Sequence, residues 1–144
     1  LIEEYKENGF LIEGRLGKKI RFTQEDIRQM QLAKGAIRAG IEALLDAYGV
    51  TYEQIDRFYL AGGMGFSLNL SKAAAIGLIP PECVKKVKLV GNSCLGGLIR
   101  YVTQFDQENA QKEILHMLER TENIHLAQDS SFLESYLKYM DFCD

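Results

Sequence analysis

Several absences narrow the class of this 144-residue chain before any motif is read. It holds no apolar run of the roughly 20 residues that a membrane-crossing helix needs, and no secretory leader pattern is read in it. Its formal charge of -3 and the lack of a long basic stretch argue against nucleic acid as a partner. Lys85, Lys86 and Lys88 form the densest basic patch, on a turn leading into an expected strand, and read as a solvated face. The three cysteines, Cys83, Cys94 and Cys143, are odd in number and stand at no metal-type or ferredoxin-type spacing. They read as reduced thiols of a cytoplasmic protein. The two histidines, His116 and His125, have no acid or cysteine at motif spacing, so neither is assigned as a metal ligand or general base. No Gly-Lys-Ser/Thr follows a glycine turn, which excludes a P-loop. The chain opens on Leu1 rather than Met and is expected to be one domain, residues 1–144, of something longer.

With 47% apolar and 26% charged residues, that domain should be globular. Leu1 to Asn8 reads as a short helix. Phe10 to Glu13 and Lys19 to Phe22 read as a hairpin around a Gly14 to Gly17 turn. Thr23 opens "TQED", a capping-box pattern with Asp26 where Glu or Gln is usual. Ile27, Met30, Ile37, Ile41, Leu44 and Tyr48 then recur at helical steps until Gly49. Beyond that helix the units alternate: strand Asp56 to Leu60, helix Ser71 to Ile76, a Pro80-Pro81 turn, strand Val87 to Val90 and helix Ser93 to Phe105. A helix capped by Asp106 runs through Glu119, followed by strand Ile124 to Ala127 and helix Ser130 to Met140. The order predicts an α/β fold with a mixed sheet, antiparallel in the hairpin and largely parallel after it.

Three features carry potential chemistry. Directly after the strand ending at Leu60 stands Ala61-Gly62-Gly63-Met64-Gly65. In open α/β sheets ligands bind at the carboxyl edge, where glycine lets a ligand approach backbone N–H groups. A Rossmann fingerprint is incomplete, since Leu68 stands where a third glycine is required. Taken alone, the cluster reads first as a tight packing turn. The second feature is a stripe of Gln31, Lys34, Gly35 and Arg38 on the long helix, beside its apolar seam. It is either an ordinary solvated stripe or two cations placed for a ribose or phosphate, with Gly35 leaving room for a flat ring. The third is "VGNSCLGG", in which Gly91 and Asn92 end a strand and open a helix; small residues here either permit close packing or belong to a ligand loop.

These stretches together resemble the last domain of the reductive activators of corrinoid proteins. The residues that carry the likeness are "FTQEDIRQMQLAKGAIRAGIEALL" from Phe22, "LAGGMG" from Leu60 with "AIGLIP" from Ala75, "VGN" from Val90, and "IHLAQDSSFLESYLKYMDF" at the end. They match in order and spacing over nearly the whole chain. The resemblance implies the second lobe of the acetate and sugar kinase, heat-shock ATPase and actin (ASKHA) superfamily, a ribonuclease H-like fold. It implies that ATP or ADP with Mg²⁺ binds the complete protein. Gly62, Gly63, Met64 and Gly65 would form the adenosine turn, Gln31, Lys34 and Arg38 would line the base, and Gly91 and Asn92 the second loop. It also implies a [2Fe–2S] ferredoxin domain outside this chain and, as the partner, a corrinoid (cobalamin-dependent) protein or methyltransferase system, whose cobalt is returned from Co(II) to Co(I).

There are departures from the family pattern. Met64 replaces a common phenylalanine, Ser93-Cys94 replaces alanines, and no Asp-x-Gly-Thr phosphate loop is present. This chain alone is therefore not expected to hydrolyse ATP. The alternative expectation is a non-catalytic interaction or dimerisation module of the same fold. Phe132, Tyr136, Tyr139 and Phe142 make the last helix aromatic, read as core packing or a homodimer face.

Overall fold

A computed structural model describes residues 9–14, 17–104 and 107–142. The expected helix over 1–8, the Asp106 cap, Cys143 and part of the hairpin turn lie outside the described residues.

The chain begins with strands β1 (Phe10–Glu13) and β2 (Lys19–Phe22), paired antiparallel with Phe10 opposite Phe22. Helix α1 (Gln24–Tyr48) follows at once. Its capping box is formed as the sequence predicts. The Asp26 N–H donates to Thr23 Oγ1 at 3.2 Å and the Thr23 N–H donates to Asp26 Oδ2 at 2.7 Å. The shorter acid serves because both partners lie within one helical turn. At the far end Gly49, at φ +69°, takes the left-handed cap that only glycine adopts without cost.

A single 3₁₀ turn at Tyr52–Gln54 leads to β3 (Phe58–Ala61). Helices α2 (Gly63–Ser67) and α3 (Leu70–Ala75) come next, then a 3₁₀ segment at Pro81–Lys86 and β4 (Val87–Gly91). Strand β4 pairs parallel with β3, Phe58 opposite Val87, with a register shift between Leu60 and Ala61. Ala73, Ile79 and Cys83 form the buried centre beneath this pair, packed by Tyr52, Ile55, Phe58, Leu60, Leu68, Leu70 and Leu78. Helices α4 (Ser93–Gln104), α5 (Gln107–Glu119) and α6 (Ser130–Met140) complete the order, the last capped by Asp129, whose Oδ1 accepts from the Ser131 N–H at 2.9 Å.

Two expectations are corrected. The strands do not form one mixed sheet: among the described residues they make two separate two-stranded sheets, β1–β2 and β3–β4. The expected strand at Ile124 to Ala127 is instead a 3₁₀ turn at Leu126–Gln128. The Gln128 N–H donates to the His125 carbonyl and the Asp129 N–H to that of Leu126, so the backbone satisfies itself by short turns that deliver Asp129 to its capping position.

Among the described residues, α1 and α6 are the most extensively packed pair of elements. Gly35, Ala39 and Ala43 recur at every fourth residue and are all buried, so small side chains mark the stripe where another element comes close. A Cβ added to Gly35 would lie 3.1 Å from Met140 Cγ and 3.2 Å from the Tyr136 carbonyl oxygen. The expected consequence is that Gly35→Val forces α6 off α1 and lowers stability by about 1–3 kcal/mol. Thermal unfolding beside Gly40→Val measures this, because among the described residues a Cβ on Gly40 would meet only Leu126, at 3.9 Å.

Candidate functional site

The two glycine turns stand side by side because they end neighbouring parallel strands. Gly62, at φ +93°, leaves β3 in a conformation closed to other residues and serves as the N-cap of α2. Its N–H donates to the Gly91 carbonyl at 2.7 Å, which ties the two strand ends together. Gly91 is also left-handed, at φ +62°. Asn92 then opens α4: its Oδ1 accepts from the Leu95 N–H at 3.0 Å, as an N-cap side chain does.

The glycines divide by role. A Cβ on Gly62 or Gly63 would meet nothing within 4 Å among the described residues, so both backbones are open. Gly65 is buried, and a Cβ there would lie 3.0 Å from Leu60 Cγ, so its small size serves packing. Met64 lies between them in α2. The face of α1 that borders this turn is its apolar seam. Ile37 and Ile41 line a cavity of about 110 Å³ with Phe58, Leu60, Ala61 and Gly65.

The two cations of the α1 stripe are directed elsewhere. Lys34 is 1% exposed. Its ammonium donates to the Tyr139 carbonyl at 2.6 Å and to that of Asp141, and stands 5.1 Å from the Phe142 ring centroid. These carbonyls belong to the end of α6, where the last turn has no intrahelical donors left. Arg38, also buried, lies between two rings, 5.2 Å from the centroid of Tyr52 and 5.0 Å from that of Tyr139. Gln31 is half-buried on the same helix. The structure therefore brings Gly62, Gly63, Met64, Gly65, Gly91 and Asn92 together, and turns Lys34 and Arg38 into the α1–α6 interface.

One group at that interface escaped sequence reasoning. Glu42 Oε1 accepts from Tyr52 Oη at 2.6 Å, Tyr139 Oη at 2.8 Å and Arg38 Nε at 3.2 Å. Burial works to raise the Glu42 pKa, but the two hydroxyls and the guanidinium outweigh it and hold the carboxyl below its usual range. Burial and the adjacent carboxylate push both tyrosines up. The only advance signal was the i, i+4 spacing of Arg38 and Glu42, which a solvated helix pair would share. Among the described residues no His, Cys, Asp and Glu side chains cluster as a metal site.

Residues 3–144 match a family described as the C-terminal domain of RACo, the ASKHA domain. The chain belongs to this family. It is 32% identical over 128 residues to the corrinoid activation enzyme RamQ of Eubacterium limosum, a match covering 89% of this chain and 21% of that protein. It is 34% identical over 97 residues to the [Co(II) methylated amine-specific corrinoid protein] reductase of Methanosarcina barkeri, covering 66% of this chain and 17% of that one. Among solved structures, the reductive activator for corrinoid, iron-sulfur protein superposes with a TM-score of 0.76 at 28% identity, over 92% of this chain and 23% of that one. The chain thus spans about a fifth of the length of these relatives. The α/β ASKHA reading of the sequence is borne out at the level of family and fold.

The Glu42 contacts carry a pH dependence. Its folded pKa lies below the ordinary value of 4.5, so its contribution is complete above that value and is lost as pH falls through the lower folded pKa. Melting temperatures measured down through this acid window should fall more steeply for the native protein than for Glu42→Gln, and the two curves should converge at the acid end.

Proposed function

We propose that this chain is the nucleotide-binding part of an ATP-dependent reductive activator, which returns the Co(II) form of a corrinoid protein to Co(I). Membership of the family and the printed roles of the relatives support corrinoid activation. The observation that carries the nucleotide half of the proposal is the pair of joined glycine turns. Gly62 and Gly63 present open backbone at the carboxyl end of parallel strands, the edge where α/β sheets take ligands. Gly62, Gly63, Met64 and Gly65 would hold the adenosine side, with Gly91 and Asn92 as the second loop. Gln31 would lie nearest the base on α1.

In this reading Lys34 and Arg38 act from behind, fixing α1 through α6 rather than touching the nucleotide. ATP with Mg²⁺, when bound, would supply the free energy of lobe closure, and the complete protein would contribute the phosphate loop. A [2Fe–2S] centre would sit in another part of that protein, since Cys83, Cys94 and Cys143 stand at no cluster-type spacing. We place the protein in the cytoplasm, with a second copy of the chain as a partner; among the described residues no helix is long and apolar enough to cross a membrane.

A second reading has one observation in its favour. Lys34, the cation expected beside the nucleotide, is sequestered by α6, as it would be in an interaction module that keeps the fold without a working site. Calorimetric titration of the full-length protein with ADP and Mg²⁺ separates the two. Saturable binding is expected under the first reading. Gly63→Val should leave the melting temperature nearly unchanged, because its side chain enters open space, and weaken binding at least about tenfold. No binding by the native protein would leave the second reading.

A further inference from the structure

We propose that Glu42 is a positioning residue that couples the carboxyl-terminal helix to the two glycine turns. The inference stands on the α1–α6 interface and holds whether or not a nucleotide occupies the turns.

Three elements meet at one oxygen. Glu42 Oε1 takes Arg38 from its own helix, Tyr139 from α6, and Tyr52 from the 3₁₀ turn that precedes β3. A helix pair alone needs no tie to Tyr52, and the α1–α6 contact already has Lys34 and Gly35 to hold it. The Tyr52 bond therefore adds something other than adhesion between helices: it fixes the azimuth of α1 against the strands.

Tyr52 is in turn joined to both strand pathways. Its ring packs against the buried centre of Ala73, Ile79 and Cys83 together with Phe58 and Leu60 of β3. Its carbonyl accepts from Lys86 Nζ at 2.8 Å, and the Glu53 carbonyl accepts from the same ammonium at 3.1 Å. Lys86 is the residue directly before β4. One strand leads directly into Gly62 and the other ends at Gly91, the two residues joined by the 2.7 Å hydrogen bond. The path from Tyr139 to that bond is thus continuous: Tyr139, Glu42, Tyr52, then Lys86 with β4 on one side and Phe58 with β3 on the other. The surroundings make it stiff. Arg38 is held between the same two rings whose hydroxyls Glu42 accepts, so displacing either tyrosine disturbs the cation and the carboxylate together.

Coupling of this kind assigns α6 a role beyond covering α1. A partner or a ligand that shifts α6 would alter how firmly Gly62 and Gly91 are held, and occupation of the turns would alter α6 by the same free energy.

Amide hydrogen exchange on the full-length protein without nucleotide tests the path. Tyr52→Phe and Tyr139→Phe each remove one hydroxyl while keeping the ring against Arg38, so the fold is retained. Tyr52→Phe should speed exchange at Gly62, Leu95 and Gly96 by roughly threefold to tenfold and, through the shared Glu42 oxygen, also in the last turns of α6. Tyr139→Phe should speed exchange both in α6 and at those same turn amides. If the effect of Tyr139→Phe stops at α1 and α6, or Tyr52→Phe leaves the turns unchanged, the coupling does not exist. Because exchange is read without nucleotide, that result is separate from any failure to bind ADP.

Discussion

The fold depends on how two cations are taken out of water between α1 and α6. Burying an ammonium is costly unless its donors are met, and Lys34 meets them on carbonyls that the end of α6 leaves without helical partners. One desolvation problem thus answers another: the helix end needs donors, and the lysine needs acceptors. Arg38 is treated differently. Its guanidinium is stacked by Tyr52 and Tyr139 and bonded to Glu42, so its charge is balanced by a carboxylate and by two ring faces. Neither arrangement is possible unless the helices approach closely, which Gly35 allows opposite Met140 and Tyr136.

Local features were legible because their physics is local. The Thr23–Asp26 box, the Gly49 cap and the Ser130 start of α6 are each decided within four residues, and each is found where the sequence puts it. The glycine turns were legible because few residues can take φ near +90°, the angle that Gly62 adopts. The Lys34 partners were not. Periodicity shows that Gln31, Lys34 and Arg38 share a stripe, but it carries nothing about which element covers that stripe, and the acceptors lie more than a hundred residues away. The same limit produced the false strand at Ile124 to Ala127. An apolar, β-favouring run can pair in a sheet or lay one residue on a helix, and here Leu126 lies beside α1 at Gly40.

Burial is uneven across the molecule. The centre under β3 and β4 is built from small and medium side chains, whereas Tyr59, Leu89 and Val90 on those strands remain exposed. Parallel strands ordinarily have both faces covered. On α4, Leu98 and Val102 are exposed, as are Leu115 and Leu118 on α5. Apolar side chains are also exposed on α1, at Leu44 and Tyr48, and on α6, at Leu133 and Leu137.

The distinction among the glycines bears on what kind of recognition the turn can perform. Gly35 and Gly65 are small because something else occupies the space a side chain would fill. Gly62 and Gly63 are small beside space that the described residues leave empty, so packing does not account for them. Gly62 has the further reason of its left-handed φ, but Gly63 begins a helix and has none. Glycine costs about 1 kcal/mol relative to alanine in a helix interior, and at Gly63, the first helical residue, a smaller part of that. Glycine there is a local cost without a structural return inside this chain, and close approach of another group to the backbone is the physical circumstance in which that cost is recovered.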